Sequence, residues 1–352
     1  MPIYPFLHGR HCRRLARCAF SEGDKKMKSL RKIFTASVLL CAPLAMMKPA
    51  MAEFPDKPIK IVVPYSTGGS SDSIGRLVAD QLSKELGQPV IIENKPGAGS
   101  MIGTGYAAEE VPDGYTLLLV DVPFTIVPTL YKDRIRYNAR ETFAPIALVG
   151  ESPMYLFVNA NVKANTPKEL ADLAKAAPGT ITIGSGGNGS FSHLLAELFM
   201  RESGTQLLHV PYKSSGASVT DLAGGQIDAG FGSLASAAAL YHAGKVVPIG
   251  VSSAERHADT PDVPTFKESG FESMTIPSWW GLVVPAKTPE DVRAKLSEAV
   301  LKGLKNPLLQ ERLSSLGVDV PNKADPATMA DVIDKDLSRW EDVISSANIV
   351  LN

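Results

Sequence analysis

Ile59-Lys-Ile-Val-Val-Pro-Tyr-Ser-Thr-Gly-Gly-Ser-Ser-Asp72 opens a run that ends at Leu86 and Gly87. Residues 59–64 are short and β-branched, the pattern of a buried strand. Beyond Asp72 the apolar positions Ile74, Leu77, Val78, Leu82 and Leu86 recur at steps of three and four, one face of a helix. A strand therefore feeds a helix through a Gly/Ser/Thr loop. Such a loop aims backbone N–H groups and short hydroxyls at one point beside the positive end of the helix dipole, an arrangement that favours a carboxylate or a phosphate. An ordinary capped strand-to-helix turn uses the same letters, so the weight must come from the rest of the chain.

Upstream, Lys28, Arg31 and Lys32 precede an apolar stretch, Ile33 to Met47, and Ala50-Met-Ala52 is a small-x-small cleavage pattern. Residues 1–52 thus read as an upstream extension plus a secretory signal peptide, with release at Glu53 rather than a membrane anchor. Leu40 before Cys41 is bulky for a lipoprotein signal, and the stretch before Met27 reads as a mis-set start codon. Removing the leader takes ten of 36 Lys+Arg and two of 37 Asp+Glu, leaving 26 against 35, a formal charge of −9. That balance excludes nucleic acid and an anionic membrane surface as partners, and an anionic ligand must be held by local dipoles. Cys12, Cys18 and Cys41 all precede the cleavage pattern. The mature chain holds no disulfide or thiolate metal site and must be stable through burial, which about 300 residues permit.

Downstream, strand-like and helix-like segments alternate. Strands are predicted over 90–93, 115–120, 146–149, 154–158, 180–184, 207–211, 227–231 and 246–251, after which a Pro-rich surface stretch (Pro261, Pro264) leads to Trp279-Trp-Gly-Leu-Val-Val-Pro285. Thr166-Pro-Lys-Glu169 reads as a helix start, with Thr as cap and Pro at the first position. From Thr288 the pattern is helical to the end. Such alternation predicts an α/β protein with mostly parallel sheets and flanking helices. Ser185-Gly-Gly-Asn-Gly-Ser190 repeats the opening motif, a Gly/Ser tract between a short strand and an amphipathic helix. Ligands in open α/β sheets bind beyond the carboxyl ends of the strands, where such loops lie. Two of them suggest two lobes gripping one small anion.

Read together, Phe54-Pro-Asp-Lys-Pro-Ile-Lys-Ile-Val-Val-Pro64, Gly68-Gly-Ser-Ser-Asp72, Glu93-Asn-Lys-Pro-Gly-Ala-Gly99, Pro112-Asp-Gly-Tyr-Thr-Leu117, Gly184-Ser-Gly-Gly-Asn-Gly189, His209-Val-Pro-Tyr-Lys213 and Pro261-Asp-Val-Pro-Thr265 resemble the tripartite tricarboxylate transporter substrate-binding proteins, the Bug family. The resemblance runs from Phe54 to the C-terminus with the motifs in order. It implies a two-lobed type II periplasmic-binding-protein fold with a ligand cleft between lobes, lobe 1 from residues 53–153 plus 278–352 and lobe 2 from 154–277. It further implies a monomeric periplasmic receptor, not an enzyme, that takes a di- or tricarboxylate or an aromatic acid to integral membrane transporter subunits. A ligand-sensing receptor serving a signalling partner fits the same residues. No cofactor and no metal is expected.

On this reading the first-lobe contacts are Ser66, Thr67, Gly69, Ser70 and Ser71, with Asp72 as helix cap or water-holding group. Family members often carry Pro at positions 66 and 67. The second-lobe contacts are Gly187, Asn188, Gly189, Ser190, Ser192 and His193, joined by Tyr212 and Lys213 from the next strand end. The chain departs from the family at Asp121-Val-Pro-Phe124, where small polar residues are usual, and Phe124 is offered as a ring to stack on an aromatic acid. Trp279 and Trp280 are expected to pack near the hinge. Gly184-x-Gly186-x-x-Gly189 also satisfies a dinucleotide fingerprint, the basis of an oxidoreductase alternative; against it, the motif opens no N-terminal βαβ unit and no acid ends the next strand. No Gly-x-Ser-x-Gly elbow and no paired-histidine metal motif occurs.

Overall fold

The computed structural model describes residues 53–349. The leader, its cleavage pattern and the three cysteines lie outside them. The chain divides into Met1–Glu53 and Phe54–Asn352, and the second body is the subject from here on.

Its strands are β1 (Ile59–Val63), β2 (Val90–Asn94), β3 (Thr116–Asp121), β4 (Phe143–Ser152), β5 (Met154–Asn159), β6 (Thr182–Ser185), β7 (Leu208–Pro211), β8 (Ala229–Ser233), β9 (Val246–Val251) and β10 (Ser278–Pro285). The helices are α1 (Ser70–Leu86), α2 (Met101–Ala108), α3 (Pro123–Leu130), α4 (Pro167–Ala176), α5 (Phe191–Ser203), α6 (Ser215–Ala223), α7 (Leu234–His242), α8 (Glu290–Leu304), α9 (Pro307–Ser314) and α10 (Pro326–Ser346). Two five-stranded sheets form, in the orders β2-β1-β3-β10-β4 and β7-β6-β8-β5-β9. Each is mixed. β10 runs antiparallel to β3 and β4, and β5 runs antiparallel to β8 and β9, so one strand in each sheet opposes the other four.

The reversed strands are the ones that arrive from the other sheet, and they fix the geometry of the site. β4 ends at Ser152 and β5 begins at Met154, which pairs with Ser233 at the end of β8. β10 begins at Ser278 opposite Ser152, and its Trp280 pairs with Asp121 at the end of β3. The chain thus crosses between sheets at the carboxyl edge of both. A strand entering there must run backwards, and the two carboxyl edges consequently face the same junction.

Sheet burial follows from helices on both faces. Along β1, Ile59, Ile61 and Val63 face a core with Ile74, Val78 and Leu82 of α1 and Leu296 and Val300 of α8. Val62 faces the opposite way, into a second core that continues through Trp340 of α10 to Phe199 of α5 and Leu156 of β5. Both faces are apolar, so the inner strands are largely hydrophobic runs, with Lys60 the one charged residue of β1. α10 spans this middle core with Met329, Ile333, Leu337, Trp340 and Ile344 on one stripe.

Local signals behave as their chemistry predicts at several ends. Thr166 caps α4 by accepting from the Glu169 N–H, and Gly87 ends α1 at φ 66°, a conformation that glycine reaches without a Cβ penalty. α3 and α7 have no counterpart in the sequence reading. Pro128 inside α3 removes a helix donor and reads as a breaker, and Leu-Ala-Ser-Ala-Ala-Ala-Leu-Tyr-His in α7 carries no apolar stripe. Tertiary packing decides both. Trp279 and Trp280 pack as expected: the first is 2% exposed, with its indole N–H on Asp336 at 2.7 Å.

Candidate functional site

The loop after β1 is open. Ser66, Thr67, Gly68, Gly69 and Ser70 are exposed, and Gly69 occupies the cap position of α1 with no side-chain acceptor on the first-turn N–H groups. Gly68 sits at φ +91°, where a Cβ brings strain although the space around it is empty. The loop is braced from below by Asp72, the third residue of the helix. One Asp72 oxygen takes the Gly68 N–H at 2.9 Å and Arg76 Nε at 3.0 Å; the other takes Arg76 Nη2 at 3.0 Å and Asn94 Nδ2 at 2.9 Å. Burial works against the charge of Asp72, but Arg76, the Gly68 N–H and Asn94 outweigh it and hold the carboxyl below its usual range. Asp72 is therefore a buried strut beneath the loop, and the cap position itself belongs to Gly69. Asn94 completes the brace by donating to the Tyr65 carbonyl at 3.0 Å and accepting from Thr67 Oγ1 at 3.2 Å.

Beneath the loop lies a buried polar floor. Asp121 accepts from the Tyr65 hydroxyl at 2.6 Å and from Ser71 Oγ at 3.1 Å, and the Trp280 indole donates to Ser71 Oγ at 3.0 Å. Burial raises the Asp121 carboxyl to about 6, against the pull of those two donors. Burial and the neighbouring Asp121 charge push the Tyr65 phenol well up. Ser71 spends its one proton on Asp121, leaving Ser66 and Ser70 as the exposed serines of this loop.

The loop after β6 is built differently, because it is closed upon itself. The Gly186 N–H is held by Ser192 Oγ at 3.0 Å, Gly187 by Ser185 Oγ at 3.1 Å, Gly189 by His193 Nδ1 at 3.0 Å and Ser190 by the Gly187 carbonyl at 3.1 Å. Ser190 caps α5 by accepting from the His193 N–H. Asn188 is the exposed tip. Since His193 Nδ1 accepts, its proton lies on Nε2, which faces Glu197 at 3.3 Å. The ring is 6% exposed and stacks on His209 with centroids 3.9 Å apart. His209 Nε2 meets Ser185 Oγ at 2.7 Å, and burial, aided by the adjacent His193, lowers its pKa to about 4. His193 and Ser192 thus support the loop from within. Tyr212 joins it through its N–H on the Ser185 carbonyl at 3.0 Å, and Lys213 is exposed beside it.

Phe124 is elsewhere. It is 1% exposed in the core, parallel to Tyr137 and edge-on to Phe143, so its ring has no open face for a ligand. The two loops themselves occupy matching places: each follows the strand next to the outer parallel edge, β1 beside β2 and β6 beside β7, with one more parallel strand separating it from the reversed one. A further cavity of about 460 Å³, lined by Tyr155, Leu234, Tyr241, His257 and Gly317, contains none of the predicted residues. Among the described residues no group of three or more His, Cys, Asp or Glu could hold a metal ion, and no helix is long and apolar enough to cross a membrane.

A profile described as "Tripartite tricarboxylate transporter family receptor" matches residues 74–349. The chain belongs to this receptor family. It is 35% identical over 325 residues to an Agrobacterium vitis protein of the UPF0065 group, covering 92% of this chain and 93% of the relative. It is 31% identical to BugT of Bordetella pertussis, covering 89% and 94%. Among solved structures, MatC from Rhodopseudomonas palustris with bound malate matches at 31% identity and TM-score 0.68, covering 83% of this chain and all of that one. An R. palustris protein with adipate matches at 28% and 0.71, covering 85% and 99%.

Within this tripartite-transporter receptor the Gly184-x-Gly186-x-x-Gly189 spacing has a packing origin. A Cβ on Gly184 would overlap Ile227 and the Ser218 hydroxyl, and the Gly186 and Gly189 N–H groups are already bonded inside the loop. Arg76, Asn94 and His209 are absent from the residues that the sequence assigns to the site, and Asp121 enters there only as the first residue of the Asp121-Val-Pro-Phe124 departure. Asn94 and His209 lie in the quoted motifs, but their partners are 22 and 24 residues away, and no periodicity points to them.

Proposed function

We propose that this chain is a periplasmic solute receptor that captures a small carboxylate between two lobes, residues 53–153 plus 278–352 and residues 154–277, and delivers it as a monomer to the membrane subunits of a tripartite tricarboxylate transporter. The observation that carries the reading is the matched placement of two Gly/Ser loops, one per sheet, on the carboxyl edges that face a common junction. Family membership supports it, as do the malate and adipate held by two structural relatives.

Ser66, Gly69 and Ser70 offer hydroxyls and uncapped N–H groups at the positive end of α1, and Asn188, Ser190, Tyr212 and Lys213 meet the ligand from the other side. A hydrogen bond to a charged group contributes roughly 1.5–3 kcal/mol, and a partly buried helix terminus up to about 2 kcal/mol. Three or four such contacts, less the ordering cost, reach the ~8 kcal/mol of a micromolar complex without a buried arginine. Closure of the lobes excludes water and presents one state to the membrane partner, a shift of population driven by ligand.

The test is a thermal-shift screen of the mature protein against mono-, di- and tricarboxylates and aromatic acids, followed by calorimetry. At least one acid should raise the melting temperature saturably. A flat response to every acid would remove the carboxylate from the proposal.

A further inference from the structure

Asp121 ends β3 at the centre of the first carboxyl edge, between β1 and β10. It differs from Asp72, the other buried acid of this loop, in its company. Asp72 is paired with Arg76, whereas among the described residues the groups bonded to the Asp121 side chain are neutral: the hydroxyls of Tyr65 and Ser71 and its own backbone N–H. Trp280, paired with Asp121 across the sheet, fixes the direction of the Ser71 proton by giving its indole N–H to the Ser71 oxygen. A carboxylate has about four acceptor positions. Side chains fill two of them, one on each oxygen, and the backbone N–H of Asp121 itself takes a third, so one acceptor position remains. The uncapped first turn of α1 adjoins this acid through Ser71, which follows the exposed Ser70 and donates to Asp121.

A ligand carboxylate drawn to the α1 dipole therefore approaches a site whose floor is acidic. One anion is held by the N–H groups above. A second carboxylate on the β3 side would be drawn toward the buried Asp121, where charge is weakly screened and like charges repel strongly. A hydroxyl or an ammonium there would donate to it.

We propose that Asp121 sets the ligand class of the cleft, accepting a hydrogen bond from a donor on the ligand and excluding a second carboxylate from the β3 side. The receptor then takes a monocarboxylate that carries a hydroxyl or ammonium in preference to the dicarboxylate of the same length. This rests on the carboxylate reading above and specifies it. Acid tests the same point: burial places the Asp121 carboxyl at about 6, Tyr65 is the titratable group that faces it, and Ser71 of α1 and Trp280 of β10 do not titrate. Below that value the floor is neutral and its discrimination fades.

Calorimetric titration of the mature protein decides it, using matched sets of three to six carbons such as succinate, 4-hydroxybutyrate and 4-aminobutyrate, with wild type and Asp121→Asn at about pH 7.5 and pH 5. Wild type at neutral pH should favour the hydroxy or amino acid over the diacid by about tenfold or more, and Asp121→Asn should move that ratio about tenfold toward the diacid. Should the variant fail to fold, wild type alone serves: diacid affinity should rise, and amino-acid affinity fall, on going to pH 5. A wild-type preference for the diacid at neutral pH, or a ratio unchanged by both the variant and the acid, overturns the role of Asp121 while leaving the carboxylate receptor standing. Silence toward every acid in every set overturns both.

Discussion

The two Gly/Ser loops share a place in their sheets and differ in how their polar groups are employed. After β1 the loop is exposed, its helix cap carries no acceptor, and its bracing comes from outside the loop, from Asp72, Arg76 and Asn94. After β6 the loop is braced by its own Ser185, Ser190, Ser192 and His193, and its Gly N–H groups are already satisfied. Matching composition thus conceals a division of labour. The first loop presents donors with little reorganisation, and the second offers a preformed shape with Asn188 at its tip. Preorganisation lowers the ordering cost of binding, and here it comes from a neighbouring charge pair in one loop and from short-range hydroxyl and imidazole contacts in the other.

The largest effect that would break this contrast comes from adding a branched side chain to each loop. Gly189 lies at φ +74°, so Gly189→Val should lower stability by about 3 kcal/mol in urea unfolding, through left-handed strain. Gly69 lies at φ −78°, with ordinary space around a Cβ, so Gly69→Val should cost about 1 kcal/mol or less while removing most ligand affinity. Equal losses of stability would mean that the loops are built alike. Next in size, Asp72→Ala should cost about 1 kcal/mol by removing the bonds from Arg76, Asn94 and the Gly68 N–H, and hydrogen exchange should accelerate in the first loop and not in the second. Uniform exchange would remove the distinction.

The smallest net effect is one of sign, because two opposed titrations largely offset each other in the wild type. His209 has a folded pKa near 4, below its ordinary 6.5, so between those values the unfolded chain binds the extra proton and stability falls as pH is lowered. Asp121 has a folded pKa near 6, above its ordinary 3.8, so in nearly the same window the folded chain binds the proton and stability rises as pH is lowered. The floor of one loop therefore opposes the support of the other. His209→Asn should flatten the acid loss seen in urea titrations from pH 7 to 4, and Asp121→Asn should steepen it. Parallel responses in the two variants would contradict the opposed pairing.

Much of this molecule is legible in its letters because the signals are local. The β-branched run 59–63, the apolar steps of α1, the Thr166 cap and the αL glycine at 87 each act through neighbours a few residues away. Both Gly/Ser loops are visible for the same reason: a strand, flexible small residues and an amphipathic helix adjoin in sequence. Phe124 illustrates the opposite case. Nothing beside it in sequence distinguishes a ring that stacks on a ligand from one that packs, and Tyr137 and Phe143, 13 and 19 residues away, settle the matter.

The sequence by itself determined an alternating α/β chain with two small-residue loops poised at helix starts, since strand, turn and helix propensities are set within a turn or two of the backbone. Only the tertiary structure decided that those loops follow equivalent strands, that Asn94 joins Arg76 in bonding Asp72, that His193 is turned inward upon His209, and that among the described residues Asp121 beside the first loop is bonded to no cation. Those outcomes depend on burial and on partners brought together by strand order, and a side chain's charge and direction are fixed by the company it keeps in space.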